Sequence, residues 1–183
     1  MKEIEIKAKL NNKEEIVGKL KNLGCSFEEQ ITQNDVVYVK NLGSAEEYNK
    51  NDVFLRIRIK NNLKSFFTLK KRIKNDLDAL EYETEITSPG EMENALLLMG
   101  YQKAVYVNKT RIITHHDEYE ICIDEVENLG SYIEMEKLVT DGDSEKIQDE
   151  MFTFFLSLGI KSEDRIMTGY DILMLQKEQY AKS

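Results

Sequence analysis

Met1-Lys2-Glu3-Ile4-Glu5-Ile6-Lys7-Ala8-Lys9-Leu10 is the stretch on which the fold turns. Glu3, Glu5, Lys7 and Lys9 fall on one parity and Ile4, Ile6, Ala8 and Leu10 on the other, which predicts a β-strand with one charged and one apolar face. The period then changes. Asn12, with Glu15 three positions on, predicts a helix start, Ile16, Val17, Leu20 and Leu23 form a stripe at helical spacing, and Gly24 supplies a left-handed stop. Runs rich in β-branched and aromatic residues predict strands over 27–39, 53–60 and 65–72. The first half therefore reads β-α-β-β-β.

The same order recurs from Leu80, where Glu81, Glu83 and Glu85 alternate with Tyr82, Thr84 and Ile86. Ser88-Pro89-Gly90-Glu91 predicts an N-cap, a proline at the first helical position and a returning glutamate; Ala95, Leu96, Leu98 and Met99 follow, with a stop at Gly100. Strands are predicted over 101–114, 119–126 and 132–139, with His115-His116-Asp117 as the hairpin turn between the first two. Ile147, Met151, Phe154, Phe155 and Leu158, before Gly159, predict an amphipathic helix, and 169–178 one more, covering an end or flank. The stretch 41–51 reads as a long polar loop, with a lid and a disordered segment both open.

Composition sets outer bounds. At 183 residues and 41% hydrophobic content the chain can fill one sizeable core, and a single proline with nine glycines offers no linker, so residues 1–183 are predicted to form one α+β domain. With 25 Lys and Arg against 34 Asp and Glu the formal charge is −9, which excludes a general nucleic-acid binder and requires any anion site to be local. No apolar run approaches the roughly 18 residues of a bilayer span and the N-terminus has no apolar signal region, so the expectation is a cytoplasmic protein without a membrane partner. Cys25 and Cys122 stand far apart without metal-ligand spacing and read as packing thiols.

Eight antiparallel strands in two matching halves can close into a barrel, which removes exposed edges. Two closures stand open on pattern alone. In the ordinary small barrel the apolar parity fills the interior and the charges meet solvent; in the inverse, the apolar parity lies under the helices and the charged parity lines a water-filled tunnel. That parity comprises Glu3, Glu5, Lys7, Lys9, Arg56, Arg58, Lys60, Lys70, Arg72, Glu81, Glu83, Glu85, Lys109, Arg111, Glu120, Asp124, Glu134 and Glu136. Same-face neighbours on a strand stand about 6.6–6.8 Å apart, so long side chains can converge on one polyphosphate. In a tunnel, Lys7, Arg56, Arg58, Lys70, Lys109 and Arg111 would grip phosphate oxygens, arginine with paired donors and lysine as a point charge. The carboxylates would hold Mg²⁺ or Mn²⁺, hard cations that favour oxygen ligands. Interleaved signs keep such an interior tolerable until a ligand arrives.

Glu3-Ile4-Glu5-Ile6-Lys7 resembles the ExExK signature of the CYTH, or triphosphate tunnel metalloenzyme, superfamily, which includes CyaB-type class IV adenylyl cyclases, thiamine triphosphatases and inorganic triphosphatases. Further matches follow in order: Leu55-Arg56-Ile57-Arg58, Thr68-Leu69-Lys70, the acidic strand from Glu81 to Glu85, Lys109-Thr110-Arg111, Ile123-Asp124 before Gly130, and Ile133-Glu134. The resemblance spans about residues 1–173, and the Leu-Arg-Ile-Arg run with Val126-Glu127-Asn128-Leu129-Gly130 is most similar to CyaB-type proteins. It implies a closed eight-stranded antiparallel tunnel that binds a triphosphate with a divalent metal.

On that resemblance Glu3, Glu5, Asp124, Glu134 and Glu136 are expected to hold Mg²⁺ or Mn²⁺. Lys7, Arg56, Arg58, Lys70, Lys109 and Arg111 are expected to act on the phosphates, joined in substrate binding by Lys9, Arg72, Glu81, Glu83 and Glu85. The implied reaction is that of a class IV adenylyl cyclase, ATP to cyclic AMP and pyrophosphate. The alternatives are an inorganic or thiamine triphosphatase, acting on tripolyphosphate or thiamine triphosphate, and a non-catalytic polyphosphate-binding module. Monomer and homodimer both stand open. The family's second strand carries Asp-x-Tyr, whereas Asp35-Val36-Val37-Tyr38 sets the tyrosine one residue late, on the other face, and neither is assigned a role. Near the C-terminus the family has an arginine followed by Ser-Tyr; this chain reads Met167-Thr168-Gly169-Tyr170, and Arg165 is left unassigned.

Overall fold

The computed structural model describes residues 2–43, 48, 53–140 and 142–180. In chain order the elements are β1 (Lys2–Lys9), α1 (Lys13–Asn22), β2 (Ile31–Val39), β3 (Val53–Lys60), β4 (Lys64–Arg72), β5 (Asp78–Ile86), α2 (Pro89–Leu98), β6 (Gln102–His116), β7 (Tyr119–Val126) and β8 (Gly130–Val139). They continue with α3 (Ser144–Ser157), a 3₁₀ turn (Ser162–Asp164), β9 (Arg165–Ile166) and α4 (Tyr170–Tyr180). Most of the 41–51 stretch read as a polar loop lies outside the described residues.

Strands β1 to β8 form a closed antiparallel barrel in the order β5-β4-β3-β2-β6-β7-β8-β1, with β1 returning to β5 and β9 added outside on β1. The two β-α-β-β-β halves exchange their first strands: β1 pairs with β8 of the second half, and β5 with β4 of the first. The β1–β5 seam is short, running through Lys2↔Leu80, Glu3↔Ala79 and Ile4↔Asp78. It is reinforced from α3, where Ser144 Oγ donates to the buried Asp78 at 2.6 Å and Gln148 Nε2 to the Glu5 carbonyl at 2.9 Å. Lys2 Nζ adds an ion pair to Asp78 at 3.2 Å.

The position of the core decides between the two closures. Ile4, Ile6 and Ala8 of β1, Ile121 and Ile123 of β7, and Ile133 and Met135 of β8 pack against Ile16 and Leu20 of α1 and Met151, Phe152 and Phe155 of α3. On the other flank Tyr38, Leu55 and Ile57 pack under Leu96 of α2. The main apolar core thus lies outside the barrel wall, where each large side chain withdrawn from water contributes about 1.5–3 kcal/mol. The opposite parity of the same strands necessarily faces inward.

Several boundaries differ from the sequence reading, each for a local reason. β2 starts at Ile31 rather than 27, because Glu28-Glu29-Gln30 breaks the alternation. His115 and His116 end β6, so the hairpin turn is Asp117-Glu118, with Asp117 at φ 51°, a conformation that aspartate tolerates better than most residues. Asn12 caps α1 by accepting from the Glu15 amide at 3.2 Å, but the Ser88 hydroxyl makes no cap hydrogen bond and α2 starts on Pro89 alone. Gly24 and Gly100 both adopt the positive φ that ends a helix. Among the described residues no helix is long and apolar enough to cross a bilayer.

Candidate functional site

The barrel encloses a cavity of about 500 Å³ walled by charged side chains from strands all around it. Register places opposite signs side by side: Lys7 stands across from Glu134, Arg111 from Asp124 and Lys70 from Glu81. One network joins β1, β6, β7 and β8. Lys7 Nζ lies 3.1 Å from both Glu5 Oε1 and Glu134 Oε1. Arg111 grips Asp124 with two bonds of 2.7 Å and also donates to Glu134, while Lys109 Nζ donates to Asp124 at 2.7 Å. A second network joins β1, β3, β4 and β5. Lys70 Nζ reaches Glu81 at 2.5 Å and Glu3 at 3.3 Å, and Arg56 donates to Glu81 at 3.0 Å and Glu83 at 3.2 Å. Arg58 pairs bidentately with Asp35 of β2, at 2.7 and 2.6 Å.

These pairings divide the acids into two classes. Burial opposes ionisation of Glu134, but Lys7, Lys109 and Arg111 outweigh it and hold its carboxyl well below the usual range. Against the same burial cost, Arg111 and Lys109 hold Asp124 low, Arg58 holds Asp35 low, and Lys70 with Arg56 brings Glu81 to about 2. Glu3, Glu5 and Glu136 behave in the opposite way. Burial raises each to about 7, aided at Glu5 by the charge of Glu134 and at Glu136 by Glu120 and Glu5. Among the cations, burial followed by the charge of Arg111 lowers Lys109, whereas at Lys7 the charges of Glu5 and Glu134 overcome burial and raise it.

The under-compensated acids Glu3, Glu5 and Glu136 are the groups that could hold a divalent cation. Glu5 and Glu136 are cross-strand partners, and Glu3 is two residues along the same face of β1. Among the described residues no three acidic, histidine or cysteine side chains converge as a ready-made metal cage. A divalent cation held by one or two of these carboxylates would need water and substrate phosphates for its remaining positions.

Of the residues singled out from the sequence, Glu3, Glu5, Lys7, Arg56, Arg58, Lys70, Arg72, Glu81, Glu83, Lys109, Arg111, Glu134 and Glu136 line the cavity. Asp124 is fully buried behind Lys109 and Arg111, with both oxygens engaged by them. Lys9 and Glu85 share the inward parity but are exposed, and neither lines the cavity; Glu85 meets Lys64 at 3.7 Å instead. Arg165 lies on β9, outside the barrel, with Asp149 at 2.7 Å. Asp35, left unassigned above, faces the cavity, whereas Tyr38 points outward and donates to Glu93 at 2.6 Å. The two residues between them, Val36 and Val37, set the pair on opposite faces of the strand.

The sequence reading gave no role to Gln33 or Tyr170, which both line the cavity. Gln33 lies two residues before Asp35 on the inner face of β2, in an Ile31-Gln33-Asp35-Val37 run whose mixed chemistry gives a weak parity signal. Tyr170 enters from α4, where spacing along the chain says nothing about the tunnel. Its ring stands 4.2 Å from Lys7 Nζ and 4.8 Å from Lys109 Nζ.

Comparison with known proteins gives concordant matches. A family model described as CYTH domain matches residues 1–170. A Methanocaldococcus jannaschii protein carrying the name "Putative adenylate cyclase" is 30% identical over 174 residues, covering 93% of this chain and 97% of that protein. A solved structure from Pyrococcus horikoshii OT3 aligns with a TM-score of 0.79 and 28% identity, over 96% of this chain and 99% of that one. A Hippeastrum protein, described as showing a dominant triphosphatase activity, aligns with a TM-score of 0.57 over 92% of this chain and 91% of its own; at 19% identity the likeness is one of fold.

Proposed function

Because the chain belongs to the CYTH domain family, we propose that it is a divalent-metal-dependent enzyme that takes a triphosphate into the barrel, with conversion of ATP to cyclic AMP and pyrophosphate as the leading reaction. The observation that carries this is the convergence of Lys7, Arg56, Arg58, Lys70, Lys109 and Arg111 on one cavity that also holds the under-compensated acids Glu3, Glu5 and Glu136.

The division of labour follows from the two networks. Arg56, Arg58 and Lys70 come from β3 and β4, and Lys7, Lys109 and Arg111 from β1 and β6, so a phosphate chain lying in the cavity is gripped from two sides. Asp35 and Asp124, buried and fully engaged, fix the arginine forks in place before the ligand arrives, so little reorganisation is needed when charge shifts to the leaving group. Glu3, Glu5 and Glu136 would hold Mg²⁺ or Mn²⁺, which when bound supplies charge neutralisation at the phosphate oxygens. In the cyclase reaction the substrate's own 3′-hydroxyl attacks the α-phosphorus and pyrophosphate leaves.

Hydrolysis of the terminal phosphate, with tripolyphosphate or thiamine triphosphate as substrate, is the second reading. It is favoured by a cavity wall whose charged groups address phosphate rather than a base, and by the triphosphatase activity in the description of the Hippeastrum relative. A ³¹P NMR time course of the purified protein with ATP, tripolyphosphate or thiamine triphosphate, plus Mg²⁺ or Mn²⁺, separates the readings. Pyrophosphate with cyclic AMP supports the cyclase, free phosphate supports the triphosphatase, and unchanged spectra throughout would reject an enzyme.

A further inference from the structure

Tyr170 is a buried tyrosine in the tunnel wall whose hydroxyl has no hydrogen-bond partner among the described residues. The side chain is 7% exposed. Two other buried tyrosines have engaged hydroxyls: Tyr38 donates to Glu93 and Tyr48 to Asp171. Leaving a buried hydroxyl unpaired costs about 1–3 kcal/mol, so native proteins seldom do it without a reason.

The surroundings explain both how the ring is held and why the hydroxyl stays unpaired. A Cβ on Gly169 would lie 2.2 Å from Asp171 Oδ1, so glycine there lets the Asp171 side chain fold back beside Tyr170 at the start of α4. The edge of Tyr132 meets the Tyr170 ring at 5.2 Å, and the ammonium groups of Lys7 and Lys109 stand against it. Lys7 also donates to the Thr168 carbonyl at 3.3 Å, which ties the segment before α4 to the tunnel. The nearby carboxylates already accept from cations: Glu134 from Arg111, and Asp124 from Lys109 and Arg111. Burial, reinforced by Glu134 and Asp124, pushes the phenol well above its ordinary range, so at neutral pH it is an O–H donor. It is a donor without an acceptor, placed beside two cations that attract anions.

We propose that Tyr170 is a substrate-contacting residue: its hydroxyl donates to a non-bridging phosphate oxygen of the bound triphosphate, while its ring keeps the Lys7 and Lys109 ammonium groups aimed at the same phosphate. The inference rests on the reading of the tunnel as a triphosphate site and adds to it an uncharged donor on α4. The hydroxyl and the ring make separable contributions. Tyr170→Phe keeps the ring and its cation–π contacts, and it removes only the group that the ligand would pair. Tyr170→Leu removes both.

The test is calorimetric titration of the full chain with inorganic tripolyphosphate and Mg²⁺, alongside the melting temperature of each metal-free protein. Tyr170→Phe is expected to bind at least about tenfold more weakly, as for a lost hydrogen bond to a charged group. Its melting temperature should equal or exceed that of the wild type, since an unpaired buried hydroxyl has been removed. A tyrosine needed only for structure would do the reverse, lowering the melting temperature on loss of its hydroxyl. Tyr170→Leu should bind more weakly still. Wild-type affinity in Tyr170→Phe, or a fall in its melting temperature that accompanies weaker binding, would overturn the assignment. Failure of the wild type to bind tripolyphosphate would overturn the parent reading and this one with it, whereas normal wild-type binding matched by Tyr170→Phe overturns this one alone.

Discussion

Raising the pH of the metal-free protein from about 5 to about 8 should destabilise it, and the tunnel acids set the size of the effect. In the folded protein Glu5 rises from 4.5 to about 7, and Glu3 and Glu136 do the same. Between those values the unfolded chain has released these protons while the folded chain still holds them, so stability falls as pH rises through the window and levels off above about 7. At about 1.4 kcal/mol per pKa unit, one independent group contributes a loss of about 3 kcal/mol. The three acids interact and titrate as a set, so their total lies between about 3 and about 10 kcal/mol. Asp35, Glu81, Asp124 and Glu134 work in the other direction, because their folded-state values are depressed. Their contribution is present above the unfolded range and is lost as pH falls below about 4. The metal-free protein should therefore be most stable near pH 5. Mg²⁺, by favouring the ionised acids, should flatten the decline above that maximum. Urea unfolding followed by circular dichroism, in EDTA and in Mg²⁺ across this range, measures both effects. Stability that stays level or rises from pH 5 to pH 8 in EDTA would refute the reasoning.

Glu5→Gln should abolish metal-dependent turnover while leaving the melting temperature at pH 8 equal to or above that of the wild type; wild-type activity in this variant would remove Glu5 from the metal site. Asp35→Ala leaves the Arg58 guanidinium buried without its bidentate partner and should cost about 3–5 kcal/mol by denaturant unfolding. Phe155→Ala, at a fully buried position between α3 and the outer barrel wall, should cost about 3–5 kcal/mol, and a loss below about 1 kcal/mol would place the principal core elsewhere.

Local periodicity made most of the architecture legible. The alternation from Glu3 to Leu10, the stripe from Ile16 to Leu23 and their recurrence from Leu80 are short-range signals, and each corresponds to an element of the barrel or its helices. Which face of the closed sheet is concave is not a local property. Alternation is identical for an ordinary and an inverse barrel, and only the packing of Leu20, Phe155 and Leu96 against the outside resolves it. The inward cations and acids were readable as a parity class, but their partners depend on register between strands distant in sequence, as with Lys7 and Glu134. Lys9 and Glu85 share that parity and still miss the cavity, because alternation fixes a side of the strand and not where the strand runs past the barrel end. Tyr170 showed in the sequence only as the end of a stretch set against the family's Ser-Tyr, and its place in the tunnel comes from the docking of α4.

Calorimetric titration with Mg²⁺ and tripolyphosphate, comparing the wild type with Arg56→Ala and Lys9→Ala, tests most directly whether the inward charges form the ligand site. Arg56 lines the cavity and Lys9 does not, although both belong to the same charged parity. The account predicts saturable one-site binding by the wild type, at least tenfold weaker binding by Arg56→Ala, and wild-type affinity in Lys9→Ala. Absence of saturable binding, or equal weakening by the two substitutions, would contradict it.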